Sequence, residues 1–150
     1  MTVRYNTILV AVDGSDESKR ALRKAMVLAK DHGAKLLLAH IIETLTTAAP
    51  GPGSQAVFPE VDEKAINMLK EYKELAEKEG VTDVKEILDY GSPKVKIAKD
   101  VAKKYHVNLI VTGAAGLNAV EKFLIGSVSQ HITRHAACDV LVVRSETEDK

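Results

Sequence analysis

The chain has little of several things by which proteins commonly announce a function. Cysteine occurs once in 150 residues, as Cys138. That excludes an internal disulfide framework and a multi-cysteine zinc site, and it fits a reducing compartment. Tryptophan is absent and aromatic residues make up 4%, too few for a platform on which single-stranded bases could stack. Neither sign of charge is in excess, since 21 lysines and arginines face 21 aspartates and glutamates. A balance of zero leaves no electrostatic footprint for nucleic acid or an anionic membrane. Long apolar runs are missing too. The longest near the start, Ile8 to Val12, is closed by Asp13 and is too short for a signal-peptide core or a membrane span. These absences predict a soluble, cytoplasmic protein with no nucleic-acid partner and no membrane partner.

What is present is enough for one ordinary domain. Hydrophobic residues make up 45% of the chain, and a domain of this length buries roughly 68–70% of its unfolded surface without help from disulfides or metals. Ile8-Leu9-Val10-Ala11-Val12 reads as a strand ending in the turn Asp13-Gly14-Ser15. Ser15 is a candidate cap for a helix with Asp16 and Glu17 in its first turn; Ala21, Ala25 and Ala29 recur at helical spacing, and Gly33 is the stop. Leu36 to Ile42 is a second strand. Residues 43–59, with Pro50-Gly51-Pro52-Gly53 at their centre, read as a long mobile loop. Ala65, Leu69, Tyr72 and Ala76 mark a second helix ending at Gly80, and Val84 to Leu88 is a weaker strand whose Lys85 and Glu86 suit a sheet edge. Ser92-Pro93 opens a third helix, and Leu109 to Val111 is a fourth strand. Gly126-Ser127 opens a last helix, with Ser127 and Gln130 spaced as a capping box, before a final strand at Val140 to Val143 and a polar tail. The order is βαβαβαβαβ. Strands that are apolar without alternation are buried on both faces, so the pattern predicts one doubly wound α/β domain over 1–150, with a parallel sheet covered by helices.

In such a sheet ligands bind at the carboxyl ends of the strands, where strand order reverses. The first strand ends in Asp13-Gly14-Ser15, the fourth in Thr112-Gly113-Ala114-Ala115-Gly116, and the last helix begins at Gly126-Ser127-Val128-Ser129. If the first and fourth strands are neighbours, these segments converge. Glycines let backbone N–H groups approach an anion, a helix N-terminus adds free donors, and Ser127 and Ser129 add hydroxyls. Glycines after strands are also ordinary turns, Ser127 caps any helix well, and Asp13 suits a turn as much as a ligand. The residues alone leave a phosphate cradle and plain turns both open.

The segment Gly113-x2-Gly116-x9-Gly126-Ser127 resembles the nucleotide-binding signature of the universal stress protein family, in its ATP-binding branch. The opening Ile8-Leu9-Val10-Ala11-Val12-Asp13-Gly14-Ser15 and the closing Cys138-Asp139-Val140-Leu141-Val142-Val143-Arg144 are similar to that family as well. The resemblance covers nearly the whole chain. It implies an open five-stranded parallel sheet of order 3-2-1-4-5, helices on both faces, of the adenine nucleotide α-hydrolase-like type. It also implies ATP, accompanied by Mg2+, at the carboxyl edge. Asp13 and the backbone around Ala11 and Val12 would then contact the adenosine, and Ile41 would meet the adenine through its main chain. Gly113 and Gly116 would line the ribose and phosphates; Gly126, Ser127, Val128 and Ser129 would hold the phosphate tail. Ala114 and Ala115 depart from the serine and the basic or histidine residue that many members carry there, which removes possible polar contacts.

Other residues have plainer readings. His131 and His135 are four apart, a metal-binding spacing, but no glutamate or cysteine nearby completes a set. His40, at the end of a buried strand, reads as a hydrogen-bonded structural histidine in preference to a ligand contact. Cys138 reads as a small buried residue. The helix around 60–79 is rich in acids and the one around 92–106 in bases, as solvated faces often are. In the order 3-2-1-4-5 the last strand is an edge, yet Val140, Leu141, Val142 and Val143 carry no protective charge, which predicts a homodimer through that strand. Phosphoryl-transfer chemistry would need a lysine or arginine aimed at the phosphates or acids for magnesium. Between Gly113 and Gln130 the only charges are Glu121 and Lys122, and no G-x4-G-K-[ST] loop exists. A regulatory, stress-response binding module is therefore favoured over an enzyme. A slow ATPase or nucleotidyl or phosphoryl transferase on the same fold is the alternative, as is an interaction module with a degenerate site.

Overall fold

A computed structural model describes residues 4–43, 59–114 and 125–144. Residues 115–124, which include Ala115, Gly116, Glu121 and Lys122, lie outside that range, as do residues 1–3, 44–58 and the tail from 145. The elements are β1 (Thr7–Ala11), α1 (Asp16–His32), β2 (Lys35–Glu43), α2 (Pro59–Lys78), β3 (Val84–Gly91), α3 (Pro93–Val95), a π-helical segment (Lys96–Val101), α4 (Ala102–Lys104), β4 (Leu109–Gly113), α5 (Ser127–His135) and β5 (Asp139–Val143). All strand pairs are parallel, in the order β3-β2-β1-β4-β5.

The sheet is covered on both faces, which is why its strands read as unbroken apolar runs. Ile8, Val10, Val12, Leu36 and Leu38 face one way, into a core with Ala21, Leu22 and Ala25 of α1 and Leu69, Tyr72 and Ala76 of α2. Leu9, Leu37, Ala39, Ile41 and Ile110 face the other way, against Ile97, Ala98 and Val101 of the π-helical segment, Ala102 of α4 and Ile132 of α5. Ile8, Leu9 and Val10 are wholly buried, and each such side chain stabilises the fold by about 1.5–3 kcal/mol.

Local chemistry sets the ends of α1. Ser15 is its cap, with Oγ accepting from Ser18 N–H, and Gly33 closes it in the left-handed region at φ 64°, donating to the Ala29 and Lys30 carbonyls. Elsewhere the structure differs from the sequence reading. The last helix has Gly126 as its cap, with no side-chain cap bond, so Ser127 stands at the first helical position and no capping box forms. Gln130 Nε2 instead donates to Ile125 O at 2.6 Å. The third helix is not a uniform α-helix. Its middle is a wider π turn, which keeps Ile97, Ala98 and Val101 all buried against the sheet. β3 runs on to Gly91 and β4 to Gly113, because each continues pairing with its neighbour past the apolar residues that mark it in sequence.

Candidate functional site

The order reverses between β1 and β4, which pair directly through Ile8–Leu109, Leu9–Ile110 and Val10–Val111. The loops that leave them therefore emerge side by side, one toward α1 and one toward α5. This is the crevice in which doubly wound sheets hold ligands.

On the β1 side the turn is held by its own side chains. Asp13 Oδ1 accepts from Ser15 N–H at 2.9 Å, and Asp13 N–H donates to Ser18 Oγ at 3.2 Å. Gly14 sits at φ 85°, a backbone shape that other residues rarely take, and Met68 Sδ of α2 lies 3.5 Å from where its Cβ would be. Ala11 is half-buried, Val12 buried and Asp13 half-buried. Asp13 is thus a turn residue with one carboxylate oxygen already engaged.

The β2 side carries a feature that the sequence reading did not anticipate. Val12 N–H donates to Ala39 O at 2.9 Å, extending the β1–β2 ladder by half a rung. The other half would join Ile41 N–H to Val12 O, and it is not formed: pairing ends at Ala11–Ala39. Val12 O is met instead by His40 Nδ1 at 2.7 Å. Facing a carbonyl, that nitrogen is the donor, and the ring's Nε2 is left as the acceptor. A side chain has replaced a main-chain rung. Ile41, whose side chain is buried, turns its N–H toward the open end of β1. His40 is a hydrogen-bonded histidine, but it also shapes the crevice; only its place after the run Leu36-Leu37-Leu38-Ala39 hinted at that.

On the β4 side Gly113 is squeezed. A Cβ there would stand 2.9 Å from the Glu17 carbonyl oxygen in the first turn of α1. Ser129 is buried and its Oγ donates to Gly113 O, with Thr112 Oγ1 3.4 Å away. Ala114 N–H donates to Val143 O at 2.9 Å, and Gly126 N–H donates to Ala114 O at 2.7 Å. The two ends of the segment between them are thereby brought together. The first intrahelical bond of α5 runs from Gln130 N–H to Gly126 O, so the amides of Ser127, Val128 and Ser129 are the unsatisfied donors of a helix start. Ser127 is exposed and Val128 half-buried. Ala11, Val12, Asp13, Ile41, Gly113, Gly126, Ser127, Val128 and Ser129 all belong to strand ends or the α5 start that border this crevice. Gly116 lies outside the described residues.

Among the described residues of the β4 loop and the α5 start there is no charged side chain. On this β4 side the described residues offer main-chain N–H, one hydroxyl at the rim and a helix dipole. That set suits an oxyanion and lacks a general base. Among the described residues no group of three or more histidine, cysteine, aspartate or glutamate side chains could hold a metal.

An open 3-2-1-4-5 parallel sheet, with a tight turn and a helix start side by side at its switch point, defines a class of small doubly wound α/β domains. Within that class the family model for the universal stress protein family matches residues 4–144. The chain belongs to the universal stress protein family. A putative universal stress protein of Staphylococcus haemolyticus is 45% identical over 142 residues, covering 95% of this chain and 86% of that one. Among solved structures, universal stress protein UspA from Lactobacillus plantarum superposes with a TM-score of 0.84 at 30% identity, over 95% of this chain and all of that one. Two further neighbours were solved with nucleotides. One is a universal stress protein in complex with cAMP, at TM-score 0.75 and 28% identity over 96% of this chain and 100% of that one. The other, from Archaeoglobus fulgidus, is in complex with dAMP, at TM-score 0.69 and 26% identity over 95% of this chain and 100% of that one.

Proposed function

We propose that this protein binds an adenine nucleotide, ATP with Mg2+, in the β1–β4 crevice and acts as a cytoplasmic regulatory module. The observation that carries the reading is the convergence of Asp13, Gly113 and the free amides of Ser127, Val128 and Ser129 at one switch point. The cAMP and dAMP complexes of its structural neighbours support an adenine ligand. Ile41, with a main-chain N–H that no rung occupies, would read the adenine edge. Ala11, Val12 and Asp13 would flank the adenosine, Gly113 and Gly116 the ribose and phosphates, and Gly126, Ser127, Val128 and Ser129 the phosphate tail. Ser129 would act through its amide, because its hydroxyl is committed to Gly113 O. Mg2+ would be held through the phosphates, since no set of protein ligands stands at the site among the described residues.

A binding role is favoured over catalysis because, among the described residues, the β4 loop and the α5 start present no lysine, arginine or base to the phosphates. A homodimer paired through β5, by Val140, Leu141, Val142 and Val143, belongs to the same reading. The test is the nucleotide content of freshly purified, denatured protein, followed by calorimetric titration with Mg-ATP. Bound adenine nucleotide, or saturable binding below millimolar ATP, is the expected result; neither being seen overturns the proposal. Gly116→Val should abolish binding by blocking backbone approach, and an unchanged affinity would show that the pocket lies elsewhere.

A further inference from the structure

The layer formed by α3, the π-helical segment and α5 carries a group of side chains that nucleotide binding does not use. His131 and His135 are one turn apart on α5, with ring centroids 4.2 Å apart and ring planes inclined by 37°. His131 Nε2 is buried and has no hydrogen-bond partner. Its surroundings are cationic. Burial of the ring comes first in pushing the His131 pKa below the usual imidazole value, followed by the charges of His135, Lys94, Lys99 and Arg134. Lys94 belongs to α3, which packs on α5, and Lys99 to the π-helical segment, which does the same.

Among the described residues nothing anionic answers these groups. Lys94, Lys99 and Arg134 make no ion pair among the described residues, whereas the neighbouring Lys96 is held by Asp89 at 3.5 Å and Asp100 at 3.8 Å. The remaining carboxylate on an element packed against α5 is Asp139 of β5, and it accepts the Tyr5 hydroxyl at 2.7 Å. Like charges gathered without a counter-charge, beside a buried nitrogen lacking a partner, form a set of donors with no acceptor. Two histidines alone also make a poor metal site here, because the surrounding cations repel a metal ion and no third ligand joins them among the described residues.

We propose that Lys94, Lys99, His131, Arg134 and His135 form a binding site for a multivalent phosphate oxyanion on the surface where α3, the π-helical segment and α5 meet. The site lies about 6–12 Å along the α5 axis from the helix start, and it does not depend on the nucleotide reading. Lysine and arginine supply permanent donors, and each histidine becomes a double donor when protonated. Occupation by the anion favours the protonated rings.

The experiment follows the imidazole resonances of His131 and His135 in the full chain by NMR, against pH, with and without inorganic pyrophosphate. Both apparent pKa values should rise in its presence, a rise of one unit corresponding to about tenfold tighter binding by the protonated ring. Lys94→Gln with Lys99→Gln changes two exposed side chains, and this double variant should keep the fold and lose most of the rise. Histidine titrations that ignore pyrophosphate overturn the proposal, as does a rise of full size in the double variant. Mg-ATP affinity of that variant should match the parent. A parallel loss of Mg-ATP binding would assign this cluster to the nucleotide's own phosphates and overturn the claim of a separate site.

Discussion

Gly113 sits between two helix starts. Its carbonyl takes the Ser129 hydroxyl of α5, and its Cα leaves no room for a methyl group beneath the Glu17 carbonyl of α1. The obstructing atom is backbone and cannot swing aside. Gly113→Ala should therefore cost about 1–3 kcal/mol, the range typical of overpacking, read as a lower urea midpoint. An unchanged midpoint would mean that α1 can slide at no cost. That a glycine belonged here was legible from its place after a strand. The atom that excludes a side chain was not, because Glu17 is far away in sequence and meets Gly113 only through β1–β4 pairing. His40 teaches the same lesson. Its ring bond was foreseeable, but not that the bond would take the place of a ladder rung.

At the scale of elements, α2 couples the β1 loop to the core through Tyr72. The phenol is buried, and its pKa lies above the ordinary tyrosine value through burial first and then through the negative charges of Glu71, Asp13 and Asp16. A group that ionises later in the folded state than in the unfolded one adds stability below the unfolded pKa. That stability is lost as pH rises through the folded pKa. The protein should lose stability above about pH 10 as Tyr72 is forced to ionise, and Tyr72→Phe should flatten this alkaline limb in chemical denaturation curves. An identical limb in the variant would place the effect on another group. Element type and order were readable from apolar runs and punctuation. Element ends were not always so. Gln130 has a shorter route to the Ile125 carbonyl than to a capping box, and nothing in the spacing of Val95, Ala98 and Val101 signalled a π turn. Both depend on tertiary packing that periodicity does not see.

At the scale of the whole molecule, the sheet has two edges of unlike character. β3 carries Lys85 and Glu86, while β5 shows only half-buried Val140, Leu141, Val142 and Val143 after Asp139. An apolar edge without a guarding charge is a template for pairing. Sedimentation at micromolar concentration should show a dimer, and Val142→Lys should shift it toward monomer with the fold intact by circular dichroism. A monomeric parent would remove this assembly. The parallel, doubly wound layering was legible because strands that are apolar without alternation are buried on both faces; the order β3-β2-β1-β4-β5 was implied only by the resemblance to the universal stress protein family.

The rung that His40 displaces has a consequence in time as well as in shape. An amide held in a ladder exchanges its hydrogen with solvent only when the sheet opens, whereas one without a rung exchanges whenever water reaches it. Ile41 lies on a central strand, between Ala39 and Glu43, and should behave like a residue of a frayed end. Its amide should exchange orders of magnitude faster than those of Leu37 and Ala39 on the same edge of β2, and a ligand seated against it should slow that exchange most of all. The middle of the sheet thus carries its own clock for occupancy.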